Sequence, residues 1–106
     1  MTYTLSFRVT REVWDALERG EKTTEYRDDK PFWRTRMNRA LAILRMGNTV
    51  DAIFIGPPKQ KGGPWTKARY SVGAIRPPAR HITKTWEQKY LHAPIYWAVE
   101  LGRRIE

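Results

Sequence analysis

The sequence predicts one small domain of the α+β class, a barrel of about five short strands with two to three helices. Three observations lead to this prediction. The 106 residues have room for a single domain, so residues 1–106 are treated as one unit. Alternating and helical patterns follow one another in the order β-α-β-α-β-β-α-β, with a short third helix. The helices are concentrated early in the chain, which favours a small barrel over a doubly wound sheet.

The first strand and the first helix have clear patterns. Residues 2–9 alternate between apolar and polar side chains, as in a half-buried strand. Thr10 can cap a helix over residues 11–19, and Gly20 can end it. The apolar positions are Tyr3, Leu5, Phe7 and Val9 in the strand, and Val13, Trp14 and Leu17 in the helix.

The next elements are a second strand, a longer helix and a third strand. Residues 22–27 are predicted as the second strand, and residues 28–31 as a turn or loop. A helix over residues 32–46 follows, because its apolar residues recur at spacings of four, four and three. These apolar residues are Trp33, Met37, Leu41 and Leu44. Residues 49–55 form an apolar strand.

The second half of the chain is less regular. Residues 56–65, GPPKQKGGPW, are predicted to form an exposed loop because they are rich in proline, glycine and lysine. A fourth strand covers residues 66–76 and is expected to end at Pro77–Pro78. Residues 84–91 are predicted as a short helix and residues 94–101 as the last strand. Its inward residues are predicted to be Ile95, Trp97, Val99 and Leu101.

The positive charge is concentrated in the middle of the chain. The sequence has 20 Lys and Arg against 11 Asp and Glu, a net charge of +9. Residues 32–90 hold twelve basic and two acidic residues and therefore carry +10. Such a field attracts polyanions, so we expect RNA or a nucleotide as partner; the alternative is charge that only maintains solubility. The candidate nucleic-acid-binding residues are Arg27, Arg34, Arg36, Arg39, Lys59, Lys61 and Lys67.

Several classes of protein are not expected. The chain has no cysteine, which excludes disulfides, thiolate metal sites and cysteine nucleophiles. His81 and His92 are too few and too far apart to indicate a metal site, so we expect neither a metal nor a cofactor. No apolar run is long enough to span a membrane, and the N-terminus does not look like a secretory signal. We therefore expect no membrane partner and a cytoplasmic location.

The most informative segment is residues 20–27, GEKTTEYR, which is unusually polar for a strand. In a regular strand Glu25 and Arg27 share one face and can pair. Lys22 lies on the opposite face and joins them only if the strand starts irregularly after Gly20. We take Lys22, Glu25 and Tyr26 as candidate catalytic residues, since lysine can polarise a carbonyl and a carboxylate can accept a proton. The alternative is a solvated edge strand.

The pattern Gly20-x-Lys22-x-x-Glu25-x-Arg27, after a first strand and an amphipathic helix, resembles the signature of ASCH domains. These domains are a branch of the PUA-like β-barrel superfamily. The resemblance implies a PUA-like barrel with a cleft near residues 22–27 and a role on RNA, nucleotides or modified nucleosides.

The resemblance also implies a possible hydrolase. Some relatives have been regarded as ribonucleases. One subgroup removes the acetyl group of N4-acetylcytidine with a lysine, a threonine three residues later and a glutamate. Lys22 matches the lysine, whereas Glu25 stands where that subgroup has threonine. Glu87 is the only acidic residue between positions 52 and 99.

Three functions therefore remain open at this point. The first is an RNA- or nucleotide-binding domain with a polar, basic cleft. The second is a small hydrolase, of the ribonuclease or the N4-acetylcytidine amidohydrolase type, that uses Lys22 and Glu25. The third is a non-catalytic domain that binds another protein, which the absence of a concave pocket at Glu25 and Arg27 would favour.

Overall fold

One five-stranded sheet, curled into a half-barrel, organises the chain. The structure is a computed structural model that describes residues 2–106. The strands are β1 (Thr2–Arg8), β2 (Thr24–Asp28), β3 (Thr49–Gly56), β4 (Thr66–Ala79) and β5 (Tyr96–Arg104). The helices are α1 (Arg11–Glu18), α2 (Pro31–Arg45) and a 3-10 helix (Thr85–Tyr90). The predicted α+β class and the five strands are confirmed.

The strand order is β1-β3-β4-β5-β2, so β1 and β2 are the two edge strands. The β1–β3 pair is parallel, and the other three pairs are antiparallel. Helix α1, strand β2 and helix α2 all lie between β1 and β3 in sequence. The chain thus places its first two strands on opposite edges of the same curled sheet.

The core lies inside the curl of the sheet. Alternation buries Leu5 and Phe7 in β1 and four positions of β3, as the period of a strand requires. Helix α2 covers this layer and contacts β1, β3 and β4. Of its predicted apolar stripe only Met37 is fully buried, and the deep positions beside it are Ala40 and Ile43. The largest fully buried side chains are Phe7, Phe54, Leu5, Met37, Val50 and Val99.

A side chain connects the two edge strands. The Arg27 guanidinium on β2 donates from Nη2 to the backbone oxygen of Arg8 on β1 at 3.0 Å. It also lies 5.1 Å from the ring centroids of both Phe7 and Trp33. This contact holds the two edges near each other, and the space beside it remains open as a cleft.

The structure corrects the expected bounds in the second half of the chain. The Pro77–Pro78 pair does not end β4, which continues to Ala79. A shift in the pairing with β5 between Arg76 and Ala79 accommodates the prolines, because proline cannot donate to a regular ladder. The predicted third helix is a 3-10 helix. Residues 57–65 contain neither helix nor strand, as the loop prediction states.

The last strand also differs from its prediction. It starts at Tyr96 and not at residue 94, and it runs on to Arg104. Ile95 precedes the strand and is 39% exposed, so the expectation that it points inward is wrong. None of the helices within residues 2–106 is long and apolar enough to cross a membrane.

Candidate functional site

The candidate site is a cleft of about 270 Å³ beside the contact between β1 and β2. Helices α1 and α2, the 3-10 helix and the segment after it complete its walls. Its most informative lining residues are Arg8, Lys22, Glu25, Arg27, Trp33 and Glu87. A concave pocket is therefore present at Glu25 and Arg27, where the protein-binding alternative expected none.

Lys22 reaches the floor of the cleft because the chain turns sharply after α1. Gly20 adopts a left-handed φ of +72°, which glycine tolerates without strain. The N–H of Glu21 then donates to the Ala16 carbonyl at 2.9 Å, which caps the helix. Strand β2 starts only at Thr24, so Lys22 precedes it and is free of the strand's alternation. An irregular start of β2 after Gly20 is the condition under which we expected Lys22 to join Glu25, and the structure meets it.

The Lys22 ammonium is buried and fully paired. The residue is 6% exposed. Its Nζ donates to Glu87 Oε1 at 2.5 Å and to the Thr24 carbonyl at 2.7 Å. The third contact is an ion pair with Glu25 Oε1 at 3.1 Å. Two hydrogen bonds and one further ion pair thus surround the ammonium group.

Glu25 joins Lys22 to Arg27. The carboxylate is 5% exposed, and its Oε2 accepts from Arg27 Nη2 at 2.8 Å and from Nε at 3.2 Å. Two donors from one guanidinium to one carboxylate are stronger and better oriented than a single contact. The pairing of Glu25 with Arg27 agrees with the alternation predicted for this strand.

Glu87 completes the cluster from a distant part of the chain. It lies on the 3-10 helix, is 7% exposed, and also accepts from the Lys84 N–H at 3.3 Å through Oε2. Lys22, Glu25, Arg27 and Glu87, which we call the ionic cluster, carry two positive and two negative charges. The only sequence signal for Glu87 was its isolation as the one acidic residue between positions 52 and 99.

Tyr26 lies on the opposite face of β2 from Glu25, with its ring 5.5 Å from Lys22 Nζ. Its hydroxyl donates to the Ile82 carbonyl at 3.0 Å. Burial raises the pKa of the Tyr26 phenol, and the Glu87 carboxylate raises it further, so the hydroxyl stays protonated at neutral pH. The Tyr26 ring thus lines the cleft, while its polar atom is occupied by a structural hydrogen bond.

The rim of the cleft is basic. Arg8 and Lys30 line it and are exposed. The Arg8 side chain lies on the face of β1 that alternation assigns to solvent. Lys30 Nζ lies 4.0 Å from Asp28 Oδ2. Asp28 itself is buried and accepts from the backbone N–H of His92. Neither rim residue was singled out from the sequence, because neither belongs to a motif.

The predicted nucleic-acid-binding residues separate into three groups. Arg27 belongs to the ionic cluster. Arg34, Arg36 and Arg39 are exposed on α2, where Arg34 pairs with Asp29 at 3.1 Å. Lys59 and Lys61 are exposed on the loop 57–65, and Lys67 is exposed at the start of β4. Across residues 2–106, Arg27 is the one member of this set that lines the cleft.

The cleft offers hydrogen-bond acceptors below a positive rim. Each carboxylate has about four lone-pair positions, and Glu87 uses one for Lys22 and one for Lys84. The remaining positions can accept from an amine, and Trp33 supplies an aromatic wall. In the part of the chain that the structure describes, no three His, Asp or Glu side chains come together as metal ligands do.

No family model matches the chain, and no curated protein or solved structure is significantly similar to it.

Replacing Lys22 by methionine removes the cation and leaves two buried carboxylates unpaired. We expect Lys22→Met to lower the free energy of unfolding by about 3 to 5 kcal/mol, the usual cost of breaking a buried ion pair. Urea denaturation followed by circular dichroism measures this loss. Arg19→Ala breaks the exposed Arg19–Glu21 pair (3.0 Å) and should leave the midpoint unchanged. An unchanged midpoint in Lys22→Met would contradict the structural role of the ionic cluster.

Proposed function

We propose that the chain is a PUA-like domain of the ASCH type that binds one unpaired base of an RNA or nucleotide in the cleft. The observation that carries the proposal is a pair of buried carboxylates, Glu25 and Glu87, facing a cleft whose rim is formed by Arg8 and Lys30. The five-stranded curled sheet and the order of the elements support the ASCH assignment. A cytoplasmic location belongs to the same proposal.

The floor of the cleft is suited to a base with an exocyclic amine. A carboxylate accepts from the N4 amine of cytosine, as in known base contacts. Uracil presents an oxygen at the same position, which is repelled by a carboxylate. The free lone pairs of Glu87 supply the acceptor, while Lys22 and Arg27 hold the two carboxylates in place.

The rim is suited to the phosphate of the same nucleotide. Lys22 and Arg27 are neutralised by Glu25 and Glu87, so the floor contributes no net charge. Arg8 is exposed and is not part of an ion pair within residues 2–106, which leaves its guanidinium free for a phosphate. The +10 segment outside the cleft adds a long-range attraction for a polyanion.

The dimensions favour an unpaired base. A volume of about 270 Å³ is near the lower end of small-molecule pockets, which start at about 300 Å³. A cleft of this volume holds one nucleoside and is too small for a double-stranded nucleic acid. Sequence-specific readers of RNA take unstacked bases in this way, with an aromatic side chain as one wall.

We expect cytidine 5′-monophosphate (CMP) to bind about 5- to 150-fold more tightly than uridine 5′-monophosphate. This range corresponds to the about 1 to 3 kcal/mol of one base-specific contact. Isothermal titration calorimetry measures both affinities. Glu87→Gln, which adds a donor at the floor, should shrink the preference. Equal binding of the two nucleotides would contradict base recognition by the carboxylates.

The rim is tested in the same assay with oligocytidine at several salt concentrations. Arg8→Ala and Lys30→Ala should each lower the slope of log Kd against log salt by about one. Arg103→Ala is the matched control, because it removes the same charge from a residue that does not line the cleft. Arg103 lies near the end of β5, about 23 Å along the strand from its first residue, Tyr96. An equal effect of all three variants would mean that the rim holds no phosphate.

A second candidate function is hydrolysis of an N4-acylated cytidine. The observation that favours it is the 2.5 Å contact between Lys22 Nζ and Glu87 Oε1 at the floor of the cleft. Glu87 would take a proton from water, and the water oxygen would attack the acyl carbonyl carbon. The positive charge of Lys22 would stabilise the oxyanion through space, because the ammonium already donates to Glu87 and to the Thr24 carbonyl. The C–N bond then breaks, the proton passes to N4, and cytidine and a carboxylate leave.

The hydrolase candidate is tested by following N4-acetylcytidine by chromatography. Wild-type protein should release cytidine, and Glu87→Gln should reduce the rate by about 10²- to 10⁴-fold, the contribution of a general base. Glu25→Gln serves as the comparison, since Glu25 pairs with both Lys22 and Arg27 and has less free acceptor capacity. Absence of product from the wild type, with CMP binding intact, would overturn the hydrolase and leave the binding function.

A further inference from the structure

We infer that Trp65 stacks the neighbouring base of the same strand, so that the preferred ligand is a single-stranded dinucleotide step and not a mononucleotide. This inference rests on the proposed function, because it places the first base in the cleft. The inference starts from Arg8, which adjoins both the cleft and Trp65. Arg8 lines the cleft, and its guanidinium carbon also lies 5.6 Å from the centroid of the Trp65 ring.

Trp65 presents an aromatic surface that the fold does not use. Its side chain belongs to the loop between β3 and β4 and is 52% exposed. Every base has a flat face, so an exposed indole accepts any base by stacking, and such a contact contributes about 1 to 3 kcal/mol.

Hydrogen bonds restrain the start of the loop and the residue that follows Trp65. Arg11 Nη2 donates to the Pro58 carbonyl at 2.5 Å, which ties the start of the loop to α1. Thr66 Oγ1 donates to the Pro57 carbonyl at 3.1 Å and begins β4 directly after Trp65. The two ends of the loop are thereby joined. The backbone that carries the indole is thus restrained, and less backbone entropy is lost when a base stacks on Trp65.

Arg8 lies between the two base positions. A guanidinium that faces an aromatic ring on one side retains its in-plane donors for a phosphate. A strand with one base in the cleft and the next on Trp65 brings its connecting phosphate to Arg8. Lys59 and Lys61 lie on the same loop, and Lys67 follows it. These lysines attract the phosphate backbone of the nucleic acid beyond the two bound bases. The predicted basic loop and the cleft thus become one binding surface.

Titration calorimetry with CMP and with the 5′-phosphorylated dinucleotide pCpC tests the inference. Wild-type protein should bind pCpC about 5- to 150-fold more tightly than CMP, the affinity gain of one stacked base. Trp65→Ala should abolish this gain, whereas Trp65→Phe, which keeps a ring beside Arg8, should keep most of it. The readout is the ratio of pCpC to CMP affinity within each variant, so a change in the position of Arg8 that alters both affinities does not count as a loss of stacking. Trp65 is exposed, so the variants should fold, and thermal melting verifies this.

Phe32→Ala is the matched control. Phe32 is 56% exposed and lies against Arg36, whose guanidinium carbon is 3.6 Å from the ring centroid. This pair resembles Arg8 and Trp65, but across residues 2–106 Arg36 does not line the cleft. Phe32→Ala should therefore leave the pCpC gain intact, and its CMP affinity reports any disturbance of the neighbouring Trp33.

The outcomes separate this inference from the proposed function. If the wild type binds CMP and pCpC equally, or if Trp65→Ala keeps the gain, the stacking role of Trp65 is overturned and the cleft assignment stands. If neither ligand binds the wild type, the proposed function fails and the inference fails with it.

Discussion

The contact of Arg27 with Glu25, in which Nε and Nη2 both donate to Oε2, is the interaction on which the rest of the site depends. The sheet ends in two edge strands, β1 and β2, that have no ladder with each other in the part of the chain that the structure describes. Arg27 connects them through the carbonyl of Arg8, and Glu25 fixes the orientation of its guanidinium. An opening therefore remains between the edges with an ionic floor.

That floor combines four buried charges without net charge. Lys22 and Arg27 offset Glu25 and Glu87. The Lys22–Glu87 and Arg27–Glu25 contacts are hydrogen bonds as well as ion pairs, and the Lys22–Glu25 contact is an ion pair. If one of the four side chains moved away, its partner would be left as an unpaired buried charge, which costs free energy. The four side chains therefore hold one another in a single arrangement. The net charge of +9 is carried elsewhere, mainly on exposed residues such as Arg36, Arg39 and Lys61. In our account the outer charge sets affinity for a polyanion, and the neutral floor selects the base.

Much of this arrangement follows from local patterns in the sequence. Alternation predicted β1 and the Glu25–Arg27 pair, and Thr10 caps α1 as expected, accepting from the Val13 N–H at 3.4 Å. The inward turn of Lys22 depended on whether β2 starts irregularly, which Gly20 allows but does not require. Glu87 lies 65 residues from its partner Lys22, and no periodicity connects them. Its place in the cluster is set by tertiary packing of the 3-10 helix.

The prolines and the rim show two other limits of local patterns. Pro77 and Pro78 would end a regular strand, but a shift in pairing lets β4 continue to Ala79. Arg8 has the ordinary signature of a solvent-facing strand residue. Only the curl of the sheet brings it between the cleft and Trp65. Long-range geometry, and not composition, therefore assigns its role.

The most direct test of the account is a titration of ¹⁵N-labelled protein with CMP, followed by ¹H–¹⁵N correlation spectra. We expect the largest shifts on Arg27 Nε, on the Trp33 indole N–H and on the backbone amides of Arg8 and Glu87. The residues that carry these groups line the cleft, and they are brought together by the fold and not by their positions in the sequence. Shifts confined to the exposed face of α2, or spectra that do not change at saturating CMP, would contradict the claim that the cleft binds a base.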